Sequence, residues 1–251
     1  MFAIQRLETI LNVLEKNNIV QVTELVDLLD VSDVTVRKDL NKLQTKGLIT
    51  KTHGGAILNR ELSNQSLSIQ HLENATKDTK ESIAQNANQY VVNGDTIFLG
   101  SGLTCISFAK SLGKFDNLSI ITNNVEAIEH LKGKCKTLIL IGGEIIFHKD
   151  HYFTSNTHIS EYFASYNITK AFTSCTGIDL KFGVSVSTEV GKNIVQEVLT
   201  VANSWYLMAD QSKFGVVSPY KIADINKPIL IITDVLKADY KNNTNITSFA
   251  N

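Results

Sequence analysis

From residue 96 onward the chain alternates short apolar runs, each closed by a polar or glycine-bearing loop, with stretches of helical periodicity. The runs are Thr96–Leu99, Leu118–Thr122, Thr137–Ile141, Lys170–Ser174, Trp205–Ala209 and Ile229–Thr233. Helices are predicted at about 77–92, up to Leu112, over 125–131 and at about 188–202. Strands separated by helices of this length pair in parallel through crossovers, so a Rossmann-like α/β sheet is expected.

The first 58 residues obey a different period. Ile4, Leu7, Ile10, Leu11 and Leu14 recur every three or four residues, the stripe of an amphipathic helix that Asn17-Asn18 ends. Thr23 is expected to cap a second helix with Leu25, Val26, Leu28 and Leu29 inward. After the turn at Asp30-Val31, Ser32 caps a third helix running to about Lys46, with Val34, Val36, Leu40 and Leu43 inward and Gly47 as its left-handed stop. Three helices with so short a turn between the last two make a helix-turn-helix. Leu48–Thr52, the turn His53-Gly54-Gly55 and Ala56–Leu58 then read as a hairpin, or wing.

Charge singles out the same region. The 251-residue chain has a net charge of −1, which as an average argues against a polyanion partner. Yet residues 31–60 hold six basic side chains against two acidic, a local +4 between stretches of −3 and −2. The third helix presents Thr35, Arg37, Lys38, Asn41 and Lys42, with Ser32 at its start; Lys51 and His53 lie on the wing. A helix amino terminus favours phosphate, and Arg and Lys reach guanine edges in the major groove, so these eight residues are the predicted DNA contacts. His53 is read either as such a contact or as a turn residue, and Asp39 as a brace for Arg6 or Arg37.

This segment resembles the helix-turn-helix of the DeoR family of bacterial transcriptional regulators. The resemblance rests on Arg6, Ile10, Leu14, Ser32, Thr35, Val36, Arg37, Lys38, Asp39 and Leu40, and on the wing sequence Thr52-His53-Gly54-Gly55-Ala56. Many members carry two arginines where this chain has Arg37-Lys38, which replaces a bidentate fork by a point charge.

In open parallel sheets ligands bind beyond the carboxyl ends of the strands. There the chain places Gly100-Ser101-Gly102-Leu103-Thr104, Thr122-Asn123-Asn124, Gly142-Gly143-Glu144, Thr176–Asp179 and Asp210–Phe214 with Lys213. Glycines let backbone approach an anion, and Ser101 and Thr104 add hydroxyl donors at a helix start, so a pocket for a small phosphorylated ligand is predicted. The plainer readings are tight-turn glycines and a surface lysine.

These loops resemble the family's carboxy-terminal sensor domain, itself similar to ribose phosphate isomerase. That resemblance implies a phosphate site at Ser101, Gly102, Thr104 and Lys213, with Asn123, Gly142, Gly143, Lys192 and Asp210 close by. The family usually has Asp at the position of Gly100 and Thr at that of Leu103. The rival reading is a sugar-phosphate isomerase-like enzyme with an added DNA-binding module, for which Asp179 or Glu189 would have to serve as the base.

The expected organisation is a winged helix-turn-helix at 1–58, a linker at 59–76, a sensor and oligomerisation domain at 77–235 and a tail at 236–251. The expected function is a regulator, a repressor of a carbohydrate-utilisation operon, with duplex operator DNA, a phosphorylated sugar and a second copy of itself as partners. No catalytic residue, cofactor or metal site is predicted. The three cysteines, Cys105, Cys135 and Cys175, are odd in number and scattered. They fit a reducing compartment, and no apolar run reaches membrane-spanning length, so a cytoplasmic location is expected.

Overall fold

A computed structural model of the chain describes residues 3–45, 48–59, 69–148, 151–156 and 159–249. They fall into two compact units, 1–77 and 78–251.

In the first unit, helix α1 (Ala3–Asn17) buries Leu7, Ile10, Leu11 and Leu14 and gives way at Asn18, whose φ is 64°. Strand β1 (Ile19–Gln21) delivers the chain in extended form into helix α2 (Val22–Leu29). That helix starts ahead of the expected Thr23 cap: Gln21 takes the cap position and its N–H donates to the Glu24 carboxylate at 3.1 Å. Asp30, with φ 51°, closes α2. Helix α3 (Asp33–Thr45) begins as expected at Ser32, whose Oγ accepts the Thr35 N–H at 3.3 Å. Gly47 lies outside the described residues.

Two residues predicted to point inward do not. Val34 is 63% exposed and Leu28 is also exposed. The buried stripe of α3 is Val36, Asp39, Leu40 and Leu43. Val34, two positions before Val36, sits on the far side of a helix with 3.6 residues per turn. Leu28, about 100° round the helix from Leu29, lies at the edge of the Val22, Leu25, Leu29 stripe of α2 and on its solvent side.

Strands β2 (Ile49–Lys51) and β3 (Gly55–Leu58) form the wing, and β1 extends it into a three-stranded antiparallel sheet, order β1-β3-β2. Gly55 is required there, since a Cβ would lie 2.0 Å from the Val20 carbonyl oxygen. Asp39, only 2% exposed, binds Arg6 at 2.7 Å and so ties α3 to α1, which decides between its two predicted partners.

Residues 60–68 of the expected linker lie outside the description, and from Ile69 the chain is helical to Asn88, eight residues ahead of the predicted start. The second unit is built on strands β4 (Thr96–Leu99), β5 (Ser119–Thr122), β6 (Thr137–Leu140), β9 (Lys170–Ser174), β12 (Ser204–Met208), β14 (Leu230–Thr233) and β15 (Ile246–Ser248). They form one sheet in the order β15-β14-β12-β9-β4-β5-β6, with every pairing parallel. Neighbouring residues of each central strand feed opposite cores. Phe98, Ile121, Ala171, Leu207 and Ile231 pack in one cluster, and Ile97, Ile120, Phe172, Met208 and Ile232 in the other. Both faces are therefore covered, as a Rossmann-like sheet requires.

Strand β15 comes from the segment expected as a tail: Ile246 is buried and pairs with Ile231, which closes the sheet edge beside β14. Two further features were not anticipated. A ribbon of β7 (Glu144–His148) and β8 (His151–Ser155) leaves the sheet after β6, and a small sheet joins β10 (Gly177–Asp179), β11 (Gly183–Val186) and β13 (Tyr220–Ala223).

Candidate functional site

Strands succeed one another outward from β4 in one direction through β5 and β6, and in the other through β9, β12 and β14. The sheet thus has its switch point between β4 and β9, where diverging loops leave a crevice. A cavity of about 240 Å³ lies there, at the carboxyl ends of β4 and β9.

Ser101, Gly102, Thr104 and Lys213, four of the predicted effector residues, line it together. Gly102 has φ +101° and precedes the helix Leu103–Ser111, so that helix presents its amino terminus to the cavity. Ser174 Oγ–H donates to the Ser101 carbonyl at 3.1 Å, locking the loop to the end of β9. A second helix, Glu189–Val201, also begins at the wall: Thr188 caps it by accepting the Gly191 N–H at 3.1 Å. Two helix amino termini and the Lys213 ammonium put positive potential on one small space.

Asp210 stands behind Lys213 rather than on the wall. Its Oδ1 accepts the Ser212 N–H at 2.9 Å and a short bond from the Ser212 hydroxyl, while Oδ2 lies 3.9 Å from Lys213 Nζ. Asn123 is buried and donates to the Thr154 carbonyl at 3.4 Å. Gly142 and Gly143 form the turn into the ribbon, where a Cβ on Gly143 would meet the Ser155 carbonyl at 2.0 Å. Lys192 Nζ lies 4.0 Å from Glu189 Oε1. None of these five is among the lining residues.

The lining also includes Thr176, from the loop Thr176–Asp179 expected at the strand ends, and Lys80, His151, Ser187 and Thr188, which sequence reasoning did not select. Only Thr188 left a signal, as a capping residue followed by Glu189 at a helix start. Lys80 falls within the helix predicted at about 77–92 but carries no local sign that it meets the cavity, and His151 arrives on the unpredicted ribbon. The thiol of Cys175, at the wall, is pushed up to about 12, chiefly by burial, and that of Cys105 likewise to about 12. Both are therefore neutral at physiological pH and poor nucleophiles.

Neither carboxylate of the enzyme reading is at the cavity. Asp179 accepts the Lys181 and Phe182 N–H groups at 2.8 and 2.7 Å, and those bonds hold its carboxyl below the usual range. Glu189 is exposed on the first turn of its helix.

On the first unit, Ser32, Arg37, Lys38, Asn41, Lys42 and His53 are exposed, and Thr35 and Lys51 are half-buried. Ser32 Oγ and Thr35 Oγ1 are 2.9 Å apart. Arg37 is engaged by Asp33 through bonds of 2.6 and 3.1 Å, which raise its pKa and fix the guanidinium on the helix surface. Lys51 Nζ donates to Asn41 Oδ1 at 2.5 Å, so the wing is fastened beside the carboxyl-terminal half of α3. The exposed Val34 adds an apolar group to this otherwise polar surface.

The DeoR-like helix-turn-helix domain profile matches residues 6–62, and the DeoR C terminal sensor domain profile matches residues 75–235. The lactose phosphotransferase system repressor of Staphylococcus epidermidis is 31% identical, over 91% of each chain. The transcriptional repressor GlcR of Bacillus subtilis is 30% identical over 94% of this chain and 90% of that one. Among solved structures, the Pyrococcus horikoshii translation initiation factor eIF-2B shares the fold at TM-score 0.53, with 14% identity, over 92% of this chain and 87% of that one. Ribose 5-phosphate isomerase A of Neisseria gonorrhoeae overlays on 57% of this chain and 54% of its own at TM-score 0.41 and 14% identity.

Proposed function

This chain belongs to the DeoR family of transcriptional regulators, and on that premise we propose that it represses a carbohydrate-utilisation operon until a small phosphorylated sugar occupies its sensor cavity. The observation that carries the effector half is the cavity at the sheet's switch point, flanked by two helix amino termini and Lys213. A phosphate dianion gains from the dipoles and the ammonium together. The relative named as a lactose phosphotransferase system repressor supports the operon class.

In this reading α3 enters the major groove of duplex operator DNA. Arg37, Lys38 and Asn41 face base edges, Val34 meets a thymine methyl group, and Ser32, Thr35, Lys42, Lys51 and His53 hold phosphates. The pairing of Arg37 with Asp33 presents its guanidinium in an ordered orientation. One such helix is a weak reader, so the regulator acts as a homo-oligomer on repeated half-sites. The sensor unit supplies the oligomer contact, and the functional boundaries lie near 58 and 77. Asn123, Gly142, Gly143, Lys192 and Asp210 shape the site from behind its wall. A cytoplasmic location fits this role; among the described residues no helix is long and apolar enough to cross a membrane. Control is by linkage: the effector favours the DNA-free state by its differential affinity, typically about 1–3 kcal/mol.

A gel shift against duplex from upstream of the chain's own gene, at two salt concentrations and with a panel of sugar phosphates, tests both halves. Lys42→Ala is expected to weaken binding to all duplexes alike and to lower the salt slope by about one unit, as loss of one phosphate contact does. A loss that varies with base sequence would instead make Lys42 a base reader.

The sensor unit binds without turnover in this reading, because Asp179 is occupied by backbone donors and Glu189 stands in solvent. Pentose and hexose phosphates incubated with the protein are therefore expected to stay unisomerised. Isomerisation that disappears in Asp179→Asn or Glu189→Gln would overturn this.

A further inference from the structure

The helix Ile69–Asn88 enters the sensor core through its carboxyl-terminal half. Ile83, Ala84 and Ala87 are buried with Ile97, Leu99 and Phe108. One turn before Ile83, Lys80 reaches the cavity and lines it with Ser101, Thr104 and Lys213. From Lys80 the same helix continues back to Ile69, through the stretch that connects the sensor to the winged helix. The separation from Lys80 to Ile69 is about 16 Å along a continuous helix.

We propose that Lys80 is an anion ligand of this cavity, and that an occupant held between Lys80 and Lys213 stiffens the connecting helix back toward Ile69. The inference rests on reading the cavity as the effector site, and goes beyond it by naming the element that carries the signal. Lys80 and Lys213 come from different elements, so an anion bridging them pins the helix to the end of β12. Helix order is cooperative: once one turn is fixed, each neighbouring residue adds a hydrogen bond at small entropic cost. A ligand that fixes Lys80 therefore favours order in the turns before it. The winged helix then departs from a more ordered connector when the cavity is filled, which is a differential effect of the kind linkage needs.

The test uses the full chain, with inorganic phosphate, glucose 6-phosphate, fructose 6-phosphate and ribose 5-phosphate as probes, titrated by calorimetry and followed by amide hydrogen exchange. In the unmodified protein the best probe is expected to slow exchange over 69–79 about fivefold or more, as well as over 100–104. Lys80→Met is expected to bind that probe at least about tenfold more weakly. When saturated it protects 100–104 and leaves 69–79 unchanged, while Lys80→Arg restores both readouts. Unaltered affinity in Lys80→Met, or full protection of 69–79 in that variant at saturation, overturns the proposal and leaves the effector reading standing. If the unmodified protein binds none of the probes, the effector reading falls and this inference falls with it. Emission of Trp205, buried in the sensor core, reports whether each variant is folded.

Discussion

Replacing Arg6 by Met is expected to cost the amino-terminal unit about 3–5 kcal/mol, the usual penalty for leaving a buried charge without its partner. The carboxylate of Asp39 is 2% exposed and is held by Arg6 Nε at 2.7 Å and Nη2 at 3.5 Å. Without the guanidinium the carboxyl group is left uncompensated in an apolar setting, which destabilises the helix that carries it. The opposite truncation is milder. Arg6 is 14% exposed, so in Asp39→Leu its long side chain can carry the charge toward water, and the loss is expected to be about half as large. The double variant Arg6→Met, Asp39→Leu should recover much of the stability, since two apolar groups of similar shape leave no buried charge. The chain offers a clean readout. Its single tryptophan, Trp205, lies in the sensor core with Nε1 donating to Thr173 Oγ1 at 2.7 Å, so its emission follows that unit. Helical circular dichroism follows both. Urea titration of Arg6→Met should show an early loss of ellipticity with unchanged emission, together with loss of duplex binding. Equal penalties for both single variants, or a double variant as weak as Arg6→Met, would show that the pair is not the tie between α1 and α3.

Lys213→Ala is expected to lower affinity for the phosphorylated effector about 100-fold, in the range measured for truncating one partner of a desolvated charge pair. The ammonium is one-third exposed at the cavity and is steadied by Asp210, itself fixed by Ser212. Removing it leaves Asp210 as a carboxylate beside the incoming phosphate, so attraction is replaced by repulsion. Duplex affinity without effector should stay within about twofold, since coupling acts only through bound ligand. Calorimetry with the sugar-phosphate panel and a gel shift on the same preparation check the two halves. An unaltered effector affinity would return Lys213 to the status of a surface lysine, and a shift in Trp205 emission would show that it holds the fold.

Much of the architecture was legible because it depends on local regularities. The six apolar runs became strands of the parallel sheet, since burial on both faces demands continuous apolar sequence. Ser32 capped α3 because a hydroxyl acceptor there is chemistry available before any tertiary contact forms. Errors arose where a neighbour outside the segment decided the outcome. Thr23 is a reasonable cap in isolation, but β1 pairs with β3 and brings the chain in so that Gln21 takes that place. Val34 is as apolar as Val36, and only the location of α1 and α2 selects which side of α3 is covered.

The same division runs through the candidate site. Ser101, Gly102 and Thr104 are contiguous, and a glycine turn opening a helix after a strand is recognisable from sequence. Asn123, Gly142 and Gly143 share that appearance, yet they do not line the cavity, because β5 and β6 lie on one side of the switch point. Lys80 lines it from a helix that periodicity did place, but its meeting with these loops is a tertiary outcome, and His151 lines it from a ribbon that periodicity did not place.

The order of residues by itself determined a cationic helix after Val31, a wing behind it and a set of doubly buried strands, because backbone capping and side-chain period act over a few residues. Which loops meet around one cavity, which valine faces water and which arginine Asp39 is buried against were decided only by the fold. Those outcomes depend on strand order and helix packing between segments far apart in the chain, and no local free energy encodes them.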